Sequence, residues 1–437
     1  MVLVNGLYFK KNLMKFYLDN YQYFLDKLEN CKTFERPDGH YIVVDGVISP
    51  PNLHPGTFLS SDGTKIDTIE NINDKLNGVK FGWDTNYDIE SNLVTSFEEP
   101  YDYVLPVFNE NFFKNMSYFK FNNKVLNNIV NKKSKFIIFS TDDWYFGSLK
   151  DEYNNGTYKM LSTLEKWLTK NNIPHDNVYV HNLNLDSINR KTDINIVTST
   201  LLSEQYLSNV ADKVCSYDNI EKLFLNYNRN IPKHKFYLGY SLFKNKLIEK
   251  GLFGFSERYL ENYHIYPLKY DKYNLKLLYN FFKNVPYVID DKNVDEIDDQ
   301  TTIGQHMEHM HYEKTFLSLV SETTTNNGVV YLSEKTFKPI AMGHPFMIVG
   351  SRRSLDELKK IGYKTFDRWW DESYDTKYSY EERISSIINE LSELSLKNKE
   401  ELIIMRKEMQ EVVEHNFNLF NSRRKLSVFN EKFVNNE

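Results

Sequence analysis

Short apolar runs alternate with amphipathic stretches along most of the chain, and this alternation is the main structural signal in the sequence. Residues 136–139 form an apolar run that ends in a polar turn, as expected of a buried parallel strand. Met160, Leu164 and Trp167 then recur at helical spacing, and residues 178–180 form another apolar run. The order strand, helix, strand with short turns predicts a right-handed crossover unit of an α/β domain.

A second alternating series begins after Cys215. Residues 223–226 predict a strand, and the segment that follows carries an apolar helical face. This face consists of Phe236, Tyr240, Phe243 and Leu247. Further strands are predicted in the runs FLSLVSE and HPFMIVG, which are separated by a short helix. The sequence therefore predicts a second α/β domain.

The C-terminal part of the chain predicts helices. Ser354 and Glu357, and then Ser379 and Glu382, have the spacing of capping boxes at helix starts. Apolar positions after Ser379 recur at helical spacing, which favours a stripe that packs back on the body of the protein over a coiled-coil partner site.

We therefore predict the α/β fold class, with two domains and C-terminal helices. A length of 437 residues exceeds one ordinary hydrophobic core, which also favours two domains. The predicted segments are an N-terminal domain over residues 1–215, a second domain over residues 216–378 and helices over residues 379–437.

Composition narrows the class of protein and its location. The hydrophobic share of 41% and the charged share of 26% are typical of a folded chain. A net charge of -6 argues against a broad basic surface for nucleic acid. The two cysteines, Cys31 and Cys215, lack metal-site spacing and fit a reducing compartment. No apolar run approaches the roughly 20 residues that span a bilayer, so we expect a cytoplasmic protein.

The candidate chemistry is concentrated in LSEKTFKPIAMGHPFMIVG, residues 332–350. Ser333 is a good helix cap, and Gly343 is a good helix stop. Lys335 lies in the first turn of this helix, where a cation opposes the helix dipole. An anion that docks at the helix start would remove this conflict, although the pair Glu334 and Lys335 could also simply solvate a helix end.

Polar loops that follow the predicted strands are the natural places for a ligand, because ligands of α/β sheets bind at the carboxyl ends of strands and at helix N-termini. Arg229 and Lys335, if brought together, could hold a diphosphate. Glu334 could accept hydrogen bonds from two ribose hydroxyls.

The segment SETTTNNGVVYLSEKTFKPIAMGHPFMIVG resembles the donor-binding signature of the α-1,3-fucosyltransferases. In both, an acidic strand end is followed by a Glu-Lys pair that opens a helix, then by a glycine and an apolar strand. The segment through KTFDRWWDESYD is also similar to uncharacterised sugar-transferase-like proteins of bacteriophages and large viruses. The resemblance implies a GT-B fold, with two Rossmann-like domains facing a cleft, and a nucleoside-diphosphate sugar as donor.

The resemblance also implies roles for individual residues. Glu334 resembles the ribose-binding glutamate, and Lys335 the diphosphate-binding lysine. Glu322 resembles the acidic residue that helps to orient the donor sugar, and Arg229 a phosphate-contacting arginine. We include the cap residue Ser333 in the predicted donor site.

A transfer with inversion also needs a base that takes the proton of the acceptor hydroxyl, and we expect this base in the first domain. Asp142 and Asp143 directly follow the strand that ends near residue 140, and His181 follows the strand at residues 178–180. These three residues are the catalytic candidates.

A metal site is the alternative reading of HMEHMHYE, which contains His306, Glu308, His309 and His311. The first two of these histidines would share a helix face, but His311 would not, and the HExxH order is absent. An acidic pair of the DxD type does not follow an apolar strand. We therefore predict no metal ligands and no cofactor besides the donor substrate.

The predicted function is transfer of a sugar from a nucleoside-diphosphate donor to an acceptor hydroxyl, inverting and without a metal in the chemical step. The acceptor is a glycan or, in a narrower alternative suggested by the resemblance to phage proteins, a hydroxymethylated base in DNA. A third possibility, from a different class, is a protein that binds a nucleotide-sugar without turnover.

Overall fold

The structure is a computed structural model that describes only part of the chain. The described residues are 16–18, 31–36, 39–44, 102–107, 123–140, 149–150, 157–158, 160–185, 191–207, 210–228, 230–256, 275–289 and 307–426. Three predicted site residues, Asp142, Asp143 and Arg229, lie outside these ranges, and so does His306.

The chain divides into two compact units. The first takes the described residues up to Leu183 and residues 191–199, and the second takes Asn184–Asp186 and Thr200–Lys425. The predicted domain boundary at residue 215 thus lies inside the second unit. The helices predicted from residue 379 onward belong to this same unit as far as Lys425.

The first unit is built on a parallel sheet. Its described strands are β1 (Phe16–Leu18), β2 (Cys31–Arg36), β3 (Gly39–Val44), β4 (Asp102–Val107), β5 (Phe136–Ser140), β6 (Leu149–Lys150), β7 (Thr157–Tyr158), β8 (Val178–Asn182) and β9 (Asn195–Thr198). The order in the parallel sheet is β1-β4-β5-β8-β9. Strand β2 pairs with β3, and β6 pairs with β7, in two separate antiparallel sheets.

Two helices lie among the described residues of the first unit, and their buried side chains pack with those of the sheet. The helices are α1 (Asn123–Val130) and α2 (Met160–Lys170). Residues 136–139 of β5 are completely buried, as a parallel strand covered on both faces requires. Met160, Leu164 and Trp167 are buried on α2. The predicted order of strand, helix and parallel strand is confirmed, with the short strands β6 and β7 between β5 and α2.

The second unit is built on another parallel sheet. Its described strands are β10 (Lys222–Asn228), β11 (Gly251–Phe255), β12 (Thr315–Ser321) and β13 (Phe346–Val349), in the order β11-β10-β12-β13. Its described helices are α3 (Leu201–Gln205), α4 (Lys233–Lys244), α5 (Leu275–Phe282), α6 (His309–Glu313), α7 (Glu334–Ala341), α8 (Ser354–Lys360), α9 (Tyr380–Leu394), α10 (Lys399–Glu408) and α11 (Gln410–Arg423).

The core of the second unit explains this arrangement. Every residue of β12 and of β13 is buried, so these strands are central and covered on both faces. The apolar positions of α4, such as Phe236 and Tyr240, pack into the same core. The predicted α/β fold class is confirmed, and the second parallel sheet is compatible with a Rossmann-like domain.

Of the two capping boxes predicted from the sequence, the structure contains one. The capping box of Ser379 and Glu382 is present at the start of α9. The one predicted at Ser354 is wrong, because the residue before α8 is Arg353 and its side chain makes no capping bond. The carboxylate of Asp375 accepts hydrogen bonds from the first backbone N–H groups of α8 instead.

A buried ion pair holds the last helix to the start of the second unit. The guanidinium of Arg423 on α11 donates to both carboxylate oxygens of Glu204 on α3, at 3.0–3.1 Å. Glu204 is fully buried and also accepts a hydrogen bond from the hydroxyl of Tyr363 at 3.1 Å. A buried carboxylate requires such partners, so α11 is an integral part of this unit.

The longest helix among the described residues is α9, with 15 residues. Within these residues, none of the helices combines the length and the apolar character that crossing a membrane requires.

Candidate functional site

Two helices of the second unit begin at the same edge of its sheet. Strands β10 and β12 are parallel neighbours, so their carboxyl ends lie at one edge. The chain continues from β10 into α4 and from β12 into α7. His234 in the first turn of α4 donates from Nε2 to the backbone oxygen of Glu322, directly after β12, at 2.9 Å. This edge therefore carries the positive ends of two helix dipoles, a favourable place for an anion.

Glu322 anchors the start of α7 to the end of β12. Its side chain is fully buried. Oε1 accepts hydrogen bonds from the backbone N–H of Ser333 at 3.0 Å and from the hydroxyl of Thr336 at 2.6 Å. Oε2 accepts from the hydroxyl of Ser333 at 2.6 Å and from the backbone N–H of Thr323 at 3.2 Å. A buried carboxylate with four donors fixes the entry angle of the helix.

Glu322 and Ser333, which the sequence predicted to bind the donor, hold the start of α7 in place in this structure. Ser333 is the cap of α7, as its sequence position indicates, and its hydroxyl accepts a bond from the backbone N–H of Lys335. Both side chains are fully buried and bonded to the protein. A contact of Glu322 with a donor sugar would require one of its four bonds to be exchanged.

Glu334 and Lys335 form an ion pair in the first turn of α7. The ammonium of Lys335 lies 2.7 Å from Oε1 of Glu334 and also donates to the hydroxyl of Thr323 at 3.1 Å. The side chains of Lys335 and Glu334 are 32% and 19% exposed, so both are accessible to a ligand. Glu334 and Lys335, which the sequence predicted to bind the donor, are therefore in direct contact with each other.

The charges of this pair explain how a lysine is tolerated at a helix start. Burial lowers the pKa of Lys335, but the negative charges of Glu334 and Glu322 outweigh burial and hold it above its ordinary value. Burial likewise raises the pKa of Glu334, but the charge and hydrogen bond of Lys335 hold it below its ordinary value. Both groups are therefore charged at neutral pH, and the dipole conflict is resolved within the protein.

Two further lysines, Lys235 and Lys338, lie near this pair, and the sequence analysis did not predict either of them as a site residue. Lys235 in the first turn of α4 is only 4% exposed. Burial, reinforced by the positive charge of Lys335, lowers its pKa to about 8. Lys338 lies one turn into α7, and burial lowers its pKa to about 8 as well. In the sequence NIPKHKF, the only indication that Lys235 is buried is its neighbour Phe236. The side chain of Phe236 is buried in the structure.

The catalytic candidates of the first unit fall in two groups. Asp142 and Asp143 lie outside the described residues. His181 lies within β8, which continues to Asn182, and its ring is fully buried. The ring stacks on Phe139 with 4.5 Å between the centroids. In this position His181 has no access to an acceptor in solution.

The histidine-rich segment before β12 is used for packing and hydrogen bonding in its described part. His311 on α6 is buried, and its Nδ1 forms a hydrogen bond with the hydroxyl of Tyr227. Across the described ranges, no group of three or more His, Cys, Asp or Glu side chains has an arrangement that could hold a metal ion.

Comparisons of this chain with known protein families, with characterised proteins and with solved structures find no match. The function is therefore inferred from the residues at the starts of α4 and α7.

Replacement of Glu322 by glutamine tests its anchoring role. A carboxamide keeps one accepting oxygen and turns an NH2 group toward donors, so we expect Glu322→Gln to lower the free energy of unfolding by about 2–4 kcal/mol. Urea denaturation measures this loss, and hydrogen exchange should accelerate at the first turn of α7. The matched control is Glu313→Gln, an exposed glutamate just before β12. Equal stability of the two variants would contradict the anchoring role.

Proposed function

We propose that the protein is a glycosyltransferase of the GT-B type and that its second unit binds the diphosphate of a nucleotide-sugar donor. The observation that supports this most directly is the convergence of two helix N-termini and the accessible cation Lys335 at one edge of a parallel sheet. Such an edge favours a ligand with two or more negative charges. The resemblance of residues 321–350 to a donor-binding signature supports the same ligand.

The roles proposed for the donor site follow from its geometry. The ammonium of Lys335 and the N-terminus of α7 take the diphosphate, which exchanges for part of the ion pair with Glu334. Oε1 of Glu334 is engaged by Lys335, so Oε2 is the oxygen proposed to accept from a ribose hydroxyl. Glu322 and Ser333 hold the helix in place without touching the donor. Arg229 is proposed as a further phosphate contact from its sequence position between β10 and α4.

The proposed reaction is a displacement at the anomeric carbon of the donor. The acceptor oxygen forms a bond to this carbon while its proton passes to a base. The bond between the carbon and the diphosphate oxygen breaks, and its electron pair stays on the diphosphate. Positive groups at the starts of α4 and α7 stabilise this developing charge. Asp142 and Asp143 are proposed as the candidates for the base, because they follow β5 in the sequence.

Binding of nucleoside diphosphates tests the donor site. We expect UDP or GDP to bind, and Lys335→Ala to weaken this binding by roughly 10- to 30-fold, because a charge-assisted contact contributes about 1.5–2 kcal/mol. Isothermal titration calorimetry measures the affinities. Lys360→Ala is the matched control, since Lys360 forms a comparable pair with Glu357 at 2.6 Å on the exposed side of α8. Unchanged affinity of Lys335→Ala would remove this lysine from the site.

Donor turnover tests the base. With the sugar donor that binds, we expect Asp142→Asn or Asp143→Asn to lower the transfer rate by about 100-fold or more, as loss of a general base does, with UDP or GDP affinity unchanged. The control is Asp367→Asn, an exposed aspartate of the second unit. If both variants turn over at the rate of the unmodified protein, the base lies elsewhere. If the unmodified protein binds donors but never transfers or hydrolyses them, the enzymatic proposal is wrong.

A further inference from the structure

Lys235 is a buried cation with an unusual environment. The residue is 4% exposed, and no hydrogen bond or ion pair joins its ammonium to another described residue; because the ammonium is not among the fully enclosed polar atoms of the described residues that lack a partner, it keeps some contact with solvent. A largely buried lysine whose ammonium is bonded to no described residue is destabilising, and ionisable groups in such environments cluster at functional sites. Lys235 is therefore a candidate for binding an anion.

The charged groups around Lys235 do not supply a partner for its ammonium. The charges that act on Lys235 are those of Glu322 at the end of β12 and of Glu334 and Lys335 on α7, and Lys235 in turn acts on His234. The carboxylate of Glu322 already accepts four hydrogen bonds. Glu334 is paired with Lys335, and the ring of His234 is bonded to a backbone oxygen.

The balance of these charges points to an anion. The carboxylates of Glu322 and Glu334 face the three lysines Lys235, Lys335 and Lys338, and the positive ends of α4 and α7 add to the excess. A ligand with two adjacent negative groups would meet one lysine from each helix. Lys235 comes from α4, and Lys335 comes from α7.

We propose that Lys235 is the second cation of the diphosphate site, so that Lys235 and Lys335 each bind one phosphate group of the donor. This assignment rests on the proposed function for the origin of the diphosphate. It also gives the site a selectivity, because a ligand with a single phosphate group can engage only one of the two lysines fully. Donors linked through a diphosphate are then preferred to donors linked through a monophosphate.

If Lys235 binds the anion, anion binding should depend on pH in the range where Lys235 loses its proton. Because burial lowers its pKa to about 8, Lys235 loses its charge between pH 7 and pH 9 in the free protein. His234 stays neutral in this range, since burial lowers its pKa to about 4. Lys338 titrates in the same range as Lys235 and has to be separated from it by mutation.

Pyrophosphate and phosphate binding to Lys235→Met test the assignment. We expect the unmodified protein to prefer pyrophosphate, and Lys235→Met to bind pyrophosphate at least tenfold more weakly and to lose most of this preference. Lys244→Met removes the same charge from the far end of α4 and should leave both affinities unchanged. Lys235→Met should also raise the melting temperature by a few degrees, because an uncompensated buried charge is removed.

A second measurement does not depend on the folding of Lys235→Met. Sulfate does not titrate near neutral pH, so its affinity should fall about tenfold between pH 7 and pH 9 as Lys235 loses its proton. Lys338→Met should keep this decrease. A sulfate affinity that is constant with pH, or a decrease that Lys338→Met abolishes, would overturn the assignment.

These results separate the inference from the proposed function. Pyrophosphate binding that depends on Lys235, without binding of any nucleoside diphosphate, would support the anion site and overturn the donor proposal. Binding of UDP or GDP that is equally strong in Lys235→Met would overturn the role of Lys235 and leave the donor site standing. Failure of the unmodified protein to bind pyrophosphate would overturn the inference itself.

Discussion

The site depends on one buried carboxylate. Glu322 leaves the end of β12 and accepts four hydrogen bonds, three of them from Ser333 and Thr336 at the beginning of α7. Because a carboxylate in a protein interior must satisfy its lone pairs, these bonds bring the helix start to the strand end and hold it there. The positions of the Glu334 and Lys335 side chains therefore depend on Glu322.

The same anchor sets the electrostatics of the edge. The charge of Glu322 raises the pKa of Lys335 and helps a second lysine, Lys235, to persist nearby despite its burial. Local stability would be greater without Lys235, since like charges repel and a buried ammonium loses its hydration. Groups of this kind are concentrated at binding sites, where the ligand supplies the missing countercharge. The destabilisation by Lys235 and the proposed affinity for an anion would therefore have one origin.

The sequence predicted those features that depend on local chemistry. The strands at residues 136–139 and 178–180 and the cap at Ser333 follow from short patterns, and the structure contains them. The Glu334–Lys335 pair was also recognisable, because adjacent residues at a helix start need no tertiary information. These patterns sufficed for the α/β class and for the location of the candidate site.

Features that depend on distant residues escaped prediction. The cap of α8 comes from Asp375, about twenty residues beyond the helix start, so the local Ser354 motif was misleading. The burial of Lys235 depends on how α4 packs on the sheet, and the role of Glu322 depends on a helix whose cap, Ser333, lies eleven residues later. His181 was predicted to follow the strand at residues 178–180. The strand continues to Asn182, so His181 lies within it and is buried.

The most direct test of the account is a crystal structure of the protein with UDP or GDP bound. The account predicts that the diphosphate lies within hydrogen-bond distance of the ammonium of Lys335, at the first turns of α4 and α7, with Glu322 still bonded to Ser333. A diphosphate bound anywhere else on the protein, or a first turn of α7 that contacts only protein atoms in the complex, would contradict it.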